Sequence, residues 1–227
     1  MSASIPIVAI HGVGGSGRVW SRVGRILNGK IRLLPIDLPG HGGAPGRPSP
    51  TIYGYAHALS KAIEPYGKVL LVGLSMGGGV AVATYLNRPS NVVGIVLVNS
   101  ALRMPLLPPD MDRESLCRRI YLGARFRRGC VRELAKVPDE VLRADMRAAA
   151  YDLLGDAHRV GVPVLFLRGS FDRLVGADVI SESVRRVPGA SVSVLPASHM
   201  APVEFPRAVS RALSEFYFRT VKDSPAV

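Results

Sequence analysis

The chain has 227 residues, enough for one domain built around a single large core. Hydrophobic residues make up 48% of it and charged residues 20%, proportions that exclude a disordered chain, and no apolar run approaches the roughly 20 residues a spanning helix requires. The formal net charge is +12, with 29 Lys and Arg against 17 Asp and Glu. Such an excess attracts anionic partners, or it reflects a general preference for Arg; composition does not separate the two.

The opening segment MSASIPIVAIHG has no basic leader and no cleavage site after an apolar stretch. Its apolar run passes straight into a glycine-rich loop, so the expectation is a protein without a removable signal, located in the cytoplasm. Cys117 and Cys130 lie in an Arg-rich helical region with no metal-ligand spacing around them. Two thiols do not make a disulfide framework, and both are expected to be free.

Along the chain, short β-branched runs alternate with helical segments, the pattern of a parallel sheet covered on both faces. Strands are expected at residues 4–10, 31–36, 68–72, 93–98, 162–167 and 191–195, each mostly apolar rather than alternating. Helices are expected at residues 19–27, 52–63, 76–87, 177–187 and 208–220, with residues 221–227 fraying. Residues 101–159 break the alternation: they show only helical patterning, punctuated by Pro105, Pro108, Pro109, Gly123, Gly129 and Pro138. That stretch reads as a helical cap inserted between core segments 1–100 and 160–227. There is no internal repeat, low-complexity tract or flexible linker.

The segment KVLLVGLSMGGGVAVATYL is a strand, a tight turn and a helix in succession. Within it, Gly73-Leu74-Ser75-Met76-Gly77 matches the G-x-S-x-G elbow, which holds a serine at the apex of a strained reversal. Residues two before and two after that serine pack too closely to carry side chains. The helix that follows directs its N-terminal N–H groups toward developing negative charge.

This elbow, the His11-Gly12 loop, the turn Asp37-Leu38-Pro39-Gly40-His41-Gly42 and the late Asp and His together resemble the α/β-hydrolase family. The likeness runs from about Ser4 to Phe218 apart from the cap. It implies a three-layer α/β fold and a chain order of nucleophile, acid, base. Ser75 is then the nucleophile. Of the histidines, His158 and His199 follow it; His158 sits beside Arg159 in a solvent-facing position, whereas His199 lies in a loop before the terminal helix and is the expected base. Asp172, at the end of the fifth strand, is the expected acid that orients the imidazole. Asp178 reads better as a residue of a helix first turn. The oxyanion donors are expected to be the N–H groups of Met76 and, by the same resemblance, Val13. Gly12, Gly14 and Leu102 are expected at the substrate, and no cofactor or metal is implied.

Turn geometry accounts for residues 37–42 without chemistry, and His11, Asp37 and His41 are read as structural. A phosphate-binding reading of that stretch lacks a following Lys-Ser/Thr pair. The loop Gly12–Gly17 is G-V-G-G-S-G, not the dinucleotide pattern, which would also leave Ser75, Asp172 and His199 unexplained.

Two departures from the resemblance bear on substrate. The strands that normally precede the HG loop are missing, so a small sheet of about six strands is expected, and the cap is short. Between Arg113 and Lys136 it carries eight basic residues against Glu114 and Glu133. This is either a solvated surface or a dock for an anionic substrate or carrier, with Arg118, Arg119, Arg127 and Arg128 as the candidate contacts. Esterases acting on carrier-bound acyl chains are similar in having a basic cap, which brings acyl carrier protein or coenzyme A esters into view. Nucleic acid is disfavoured, since aromatic residues do not interleave with the basic ones. The expected activity is hydrolysis of a small-molecule carboxylic ester; thioester cleavage uses the same parts. The contrasting class is a non-catalytic hydrolase-fold binding protein, which would have no need for all three triad members.

Overall fold

The protein is described from a computed structural model covering residues 5–106, 108 and 111–222. The first residue of the first expected strand, Pro109 and the expected fraying residues 223–227 lie outside these. Six parallel strands form one sheet: β1 (Ile7–Ile10), β2 (Leu33–Ile36), β3 (Val69–Leu74), β4 (Val92–Val98), β5 (Val164–Gly169) and β6 (Ser191–Leu195). Their order is β2-β1-β3-β4-β5-β6. The chain therefore moves outward to β2, returns past β1 to β3 and then runs steadily to the far edge. The reversal falls between β1 and β3, whose carboxyl ends open a crevice where ligands bind in sheets of this kind.

The all-apolar patterns of β1 and β3 follow from position, since every residue of both strands is buried. The outer strands differ from expectation. In β6 Val192 and Val194 are exposed while the intervening serines are half-buried, because an edge strand has only one well-covered face.

Helices α2 (Ile52–Ile63), α3 (Met76–Asn87) and α7 (Ala177–Arg186) pack one face of the sheet; α1 (Ser21–Leu27) and α9 (Pro206–Lys222) pack the other. The Thr51 hydroxyl caps α2 by accepting from Gly54 N–H at 3.2 Å. Met76 to Tyr85 are all buried, so α3 is apolar all round, as a central helix must be. The terminal helix extends to Lys222, past the point where fraying was expected.

Between β4 and β5 stand α4 (Arg113–Ile120), α5 (Ala124–Leu134) and α6 (Asp139–Ala149). Apart from an isolated antiparallel pairing of Arg103 with Asp152, this insertion contains no strand among the described residues. The expectation of free cysteines is corrected here, since Cys117 and Cys130 form a disulfide. The short turn at residues 121–123 folds α5 back along α4 and brings the two Cα atoms within 5.9 Å. Leu116 and Leu134 complete a small satellite core around the bridge. A four-residue helix, α8 (Ala201–Glu204), precedes α9.

Candidate active site

Ser75 sits between β3 and α3 with φ 54° and ψ −123°, a backbone conformation that costs a non-glycine residue energy and is kept where the surroundings enforce it. The surroundings are backbone. A Cβ at Gly73 would lie 2.1 Å from Gly77 O, and one at Gly77 would lie 2.5 Å from His11 O. A Cβ at Gly12 would come within 3.2 Å of Ser75 Cβ, so β1's loop backs directly onto the serine. Met76 opens α3, and its N–H is one of the first-turn donors a helix leaves unpaired. Val13 N–H makes no protein hydrogen bond among the described residues.

His199 and Asp172 meet as two buried side chains, Nδ1 to Oδ2 at 2.9 Å. The carboxylate is fixed further by Leu174 and Val175, whose N–H groups donate to Oδ1 at 2.8 and 3.1 Å. With Nδ1 committed to Asp172, Nε2 is left for the cavity. No hydrogen bond joins Ser75 to His199 among the described residues, a contact that commonly tightens only with substrate in place. His158 is exposed and Asp178 lies in the first turn of α7.

Asn99, unremarked in the sequence, ties the two loops together. It is fully buried at the end of β4, with φ 46°. Its Nδ2 donates to the carbonyls of Ser198 and His199 at 2.7 and 2.9 Å, and its Oδ1 accepts from Gly169 N–H at 2.6 Å. Next to it, Ser100 Oγ donates to Ser75 O at 2.7 Å. An Asn directly after an apolar strand, a residue type that tolerates left-handed backbone, is the one local signal that could have drawn attention to it.

The loops expected to be structural are hydrogen-bonded throughout. Asp37 accepts from Gly17 and Gly43 N–H at 2.7 and 3.0 Å; burial opposes its charge, but these bonds hold its carboxyl below the usual range. His11 Nδ1 faces Gly12 O at 2.8 Å and Nε2 accepts from Leu38 N–H at 3.1 Å. Its ring is therefore neutral, and burial, reinforced by nearby His41, pushes its pKa down to about 4. His41 goes the other way. Burial works against its charge, but the hydrogen bond to Asp145 and that residue's charge prevail and raise its pKa. Asp145 itself, a fully buried carboxylate on α6, was missed in the sequence because it stands in a helix of ordinary charged residues.

Ser75, His199, Gly12, Val13 and Gly14 line one cavity of about 840 Å³. Leu102 does not line it: its side chain is buried in the core and its N–H donates to Ser183 Oγ at 2.9 Å. Met104 and Pro105 take its place on the wall. The four arginines expected at an anionic dock are also elsewhere. Arg118 pairs with Glu114 at 3.0 Å, Arg127 donates to Leu122 O at 3.3 Å, and Arg119 and Arg128 point to solvent. The basic residues on the wall are Arg18, Arg22, Arg125, Arg132 and Lys136.

Residues 7–212 match the sequence profile of the alpha/beta hydrolase family. The chain is 30% identical over 153 residues to a pimeloyl-[acyl-carrier protein] methyl ester esterase of Aromatoleum aromaticum, a match spanning 67% of this chain and 58% of that protein. It is 25% identical to the esterase of the same name from Vibrio cholerae, over 86% of this chain and 87% of that one. Among solved structures it superposes on the enol-lactonase of Burkholderia xenovorans with a TM-score of 0.85 at 20% identity, covering 96% and 92% of the two chains. With the elbow, the six-stranded sheet and a profile match over most of its length, the chain belongs to the alpha/beta hydrolase family.

Proposed function

We propose that the protein hydrolyses carboxylic esters through an acyl-enzyme, with Ser75 as nucleophile, His199 as base and Asp172 as the acid behind it. The observation that carries this reading is the buried His199–Asp172 pair, 2.9 Å apart, beside the cavity that also holds the Ser75 elbow. Ser75 Oγ attacks the ester carbonyl carbon while its proton passes to His199 Nε2. The carbonyl oxygen becomes an oxyanion held by the N–H groups of Met76 and Val13. Collapse breaks the C–O bond to the alcohol, which leaves with the proton from His199. Water then attacks the acyl-enzyme, giving its proton to His199, and Ser75 leaves with that proton as the acid is released.

A fluorophosphonate probe tests this directly, read by intact mass beside turnover of p-nitrophenyl esters of graded chain length. Wild type should gain one adduct on Ser75, and Ser75→Ala should gain none and lose activity by on the order of 10⁴-fold or more. A wild type that neither labels nor turns over sinks the reading and favours a non-catalytic binding protein.

A second reading, that the acyl group arrives on an acyl carrier protein or coenzyme A, has its own support. The side chains of Arg18, Arg125 and Arg132 line the cavity and make no hydrogen bond or salt bridge among the described residues; Arg18 and Arg132 act on nearby Glu133, but basic residues outnumber acidic ones on the wall, which leaves net positive charge for an anionic ligand. In that case Arg125→Glu with Arg132→Glu should slow a carrier-bound ester far more than a p-nitrophenyl ester, and the gap should close at high salt. Equal loss on both substrates excludes the dock. The cytoplasm stays the proposed location, and the disulfide supplies its check, because such bonds rarely persist there. Thiol trapping in intact cells decides the location: a pair found reduced before lysis keeps the protein in the cytoplasm, with the bond closing on exposure to oxidant, and a fully oxidised pair assigns an oxidising compartment.

A further inference from the structure

Helix α6 carries one residue that neither packing nor the proposed chemistry calls for. Asp145 has no exposed surface, and its two carboxylate oxygens accept from three segments of the core. Tyr55 on α2 donates its hydroxyl to Oδ1 at 2.6 Å. Oδ2 takes both His41 Nε2, at 2.8 Å, and the backbone N–H of Gly14, at 2.7 Å. The second ring nitrogen of His41 faces Pro39 O at 3.2 Å, so both its nitrogens look at acceptors, the arrangement of an imidazolium. Replacing a buried ion pair by apolar side chains is often neutral or stabilising, so stability alone does not explain this one.

What the pair holds is the turn beside Ser75. Gly15 N–H donates to Gly12 O at 3.1 Å, closing a turn with Val13 and Gly14 at its corners. Gly14 has φ +61°, which marks the second corner of a type II turn. A turn of this type interconverts with type I by flipping its central peptide, here the one between Val13 and Gly14. In the observed state that peptide's N–H points at Asp145. In the flipped state the Val13 carbonyl would face a carboxylate, and Gly14 N–H would lose a charge-assisted bond.

We infer that Asp145 is a positioning residue for the oxyanion turn: by binding Gly14 N–H from the β4–β5 insertion it fixes the Val13–Gly14 peptide and anchors the turn in place, and with it the position of the preceding peptide that carries Val13 N–H. This rests on the Ser75 reading above. Asp145 touches no substrate; His41 and Tyr55 act one step further back by holding Asp145 in place. The insertion then does more than cover the pocket, since α6 supplies part of what shapes its floor.

The test is Asp145→Asn, with His41→Gln and Tyr55→Phe as graded companions. The amide keeps the shape but turns a donor, or a weaker neutral acceptor, toward Gly14. kcat on a p-nitrophenyl ester should fall about 10- to 100-fold, somewhat less than for loss of an oxyanion donor outright, with KM within about twofold. Affinity for a trifluoromethyl ketone that mimics the tetrahedral oxyanion should fall in parallel, and fluorophosphonate should still label Ser75, more slowly. His41→Gln and Tyr55→Phe should lose kcat in the same sense but by less, on the order of threefold, and they carry the test if Asp145→Asn does not fold. Loss of thermal stability with unchanged kcat and ketone affinity overturns the inference. So does a loss in KM alone, or a wild-type labelling rate in folded Asp145→Asn. A wild type that fails to label at all defeats the Ser75 reading instead, which keeps the two failures apart.

Discussion

The two walls of the cavity are built on different principles. The sheet side is made of backbone packed against backbone: β1's loop, the Ser75 elbow and the start of α3 approach so closely that Gly73 and Gly77 have no room for a methyl group. The insertion side is a helical hairpin with little core of its own, stapled by Cys117–Cys130 and rich in exposed arginines. It is joined to the sheet side by two carboxylates, one buried and one half-buried. Asp145 reaches into the core loops, while Glu204 on α8 accepts from the N–H groups of Leu122 and Gly123 at 3.3 and 3.1 Å and from the Ser198 hydroxyl. Close packing fixes the geometry of the Ser75 elbow on one wall, and a few charged contacts leave the other free to vary in shape.

Glycines expose this difference most sharply. Gly77→Ala should cost about 3 kcal/mol or more, because the new methyl meets backbone that cannot step aside. Gly129→Ala in α5 has nothing within 4 Å of the added Cβ and should stabilise by about 0.5–1 kcal/mol through helix propensity. Urea unfolding of both variants decides it, and a similar midpoint shift for the two removes the contrast between the walls.

The sheet side should also carry the acid sensitivity. The folded pKa of His11 lies near 4 against 6.5 for the free side chain, so the unfolded state binds the extra proton first. Its contribution is complete above about pH 6.5 and is lost as pH falls toward 4, about 3 kcal/mol in all. His41, with a raised pKa, has the opposite sign: its pairing with Asp145 stabilises at low pH and fades as pH rises through that raised value. His11→Asn should flatten the acid limb of stability against pH; an unchanged limb assigns it to other groups.

On the insertion side the disulfide is the point to break. It closes a loop with a sequence separation of 13, for which chain entropy suggests about 3 kcal/mol. Cys117→Ser with Cys130→Ser should spend that loss locally, as faster proteolysis within residues 113–134. Turnover of a small ester should change less than tenfold, because the floor does not depend on the bridge. A collapse of kcat on that substrate would show the walls to be one unit.

The sheet wall was also the legible one. A fully buried strand writes itself as an uninterrupted apolar run, and the bounds expected for α2 and α3 agree with those found. The elbow was readable because its glycines are dictated by backbone contacts that any sequence in this fold must respect. The partnership of Ser75, Asp172 and His199 was expected from family order; the structure brings His199 and Asp172 to 2.9 Å beside the elbow. What escaped was everything defined only by long-range approach. Asp145 looks like one more helix carboxylate until Gly14, His41 and Tyr55 arrive around it from segments up to 131 residues away. The cysteine pairing depends on where α4 ends and α5 turns back, and the arginines that face the cavity were not the most densely clustered ones.

Asn99 has a consequence for how such a site tolerates change. The proposed acid and base are carried by separate loops, after β5 and β6, yet one amide anchors the backbone of both to the end of β4. Movement of that strand end displaces the two loops together, like two pointers mounted on one plate, and their separation is preserved. The chain departs for the insertion immediately beyond this plate, at Ser100 and Ala101. Loops and helices grafted there can be lengthened, shortened or recharged to suit a new substrate while the proposed acid and base keep their spacing.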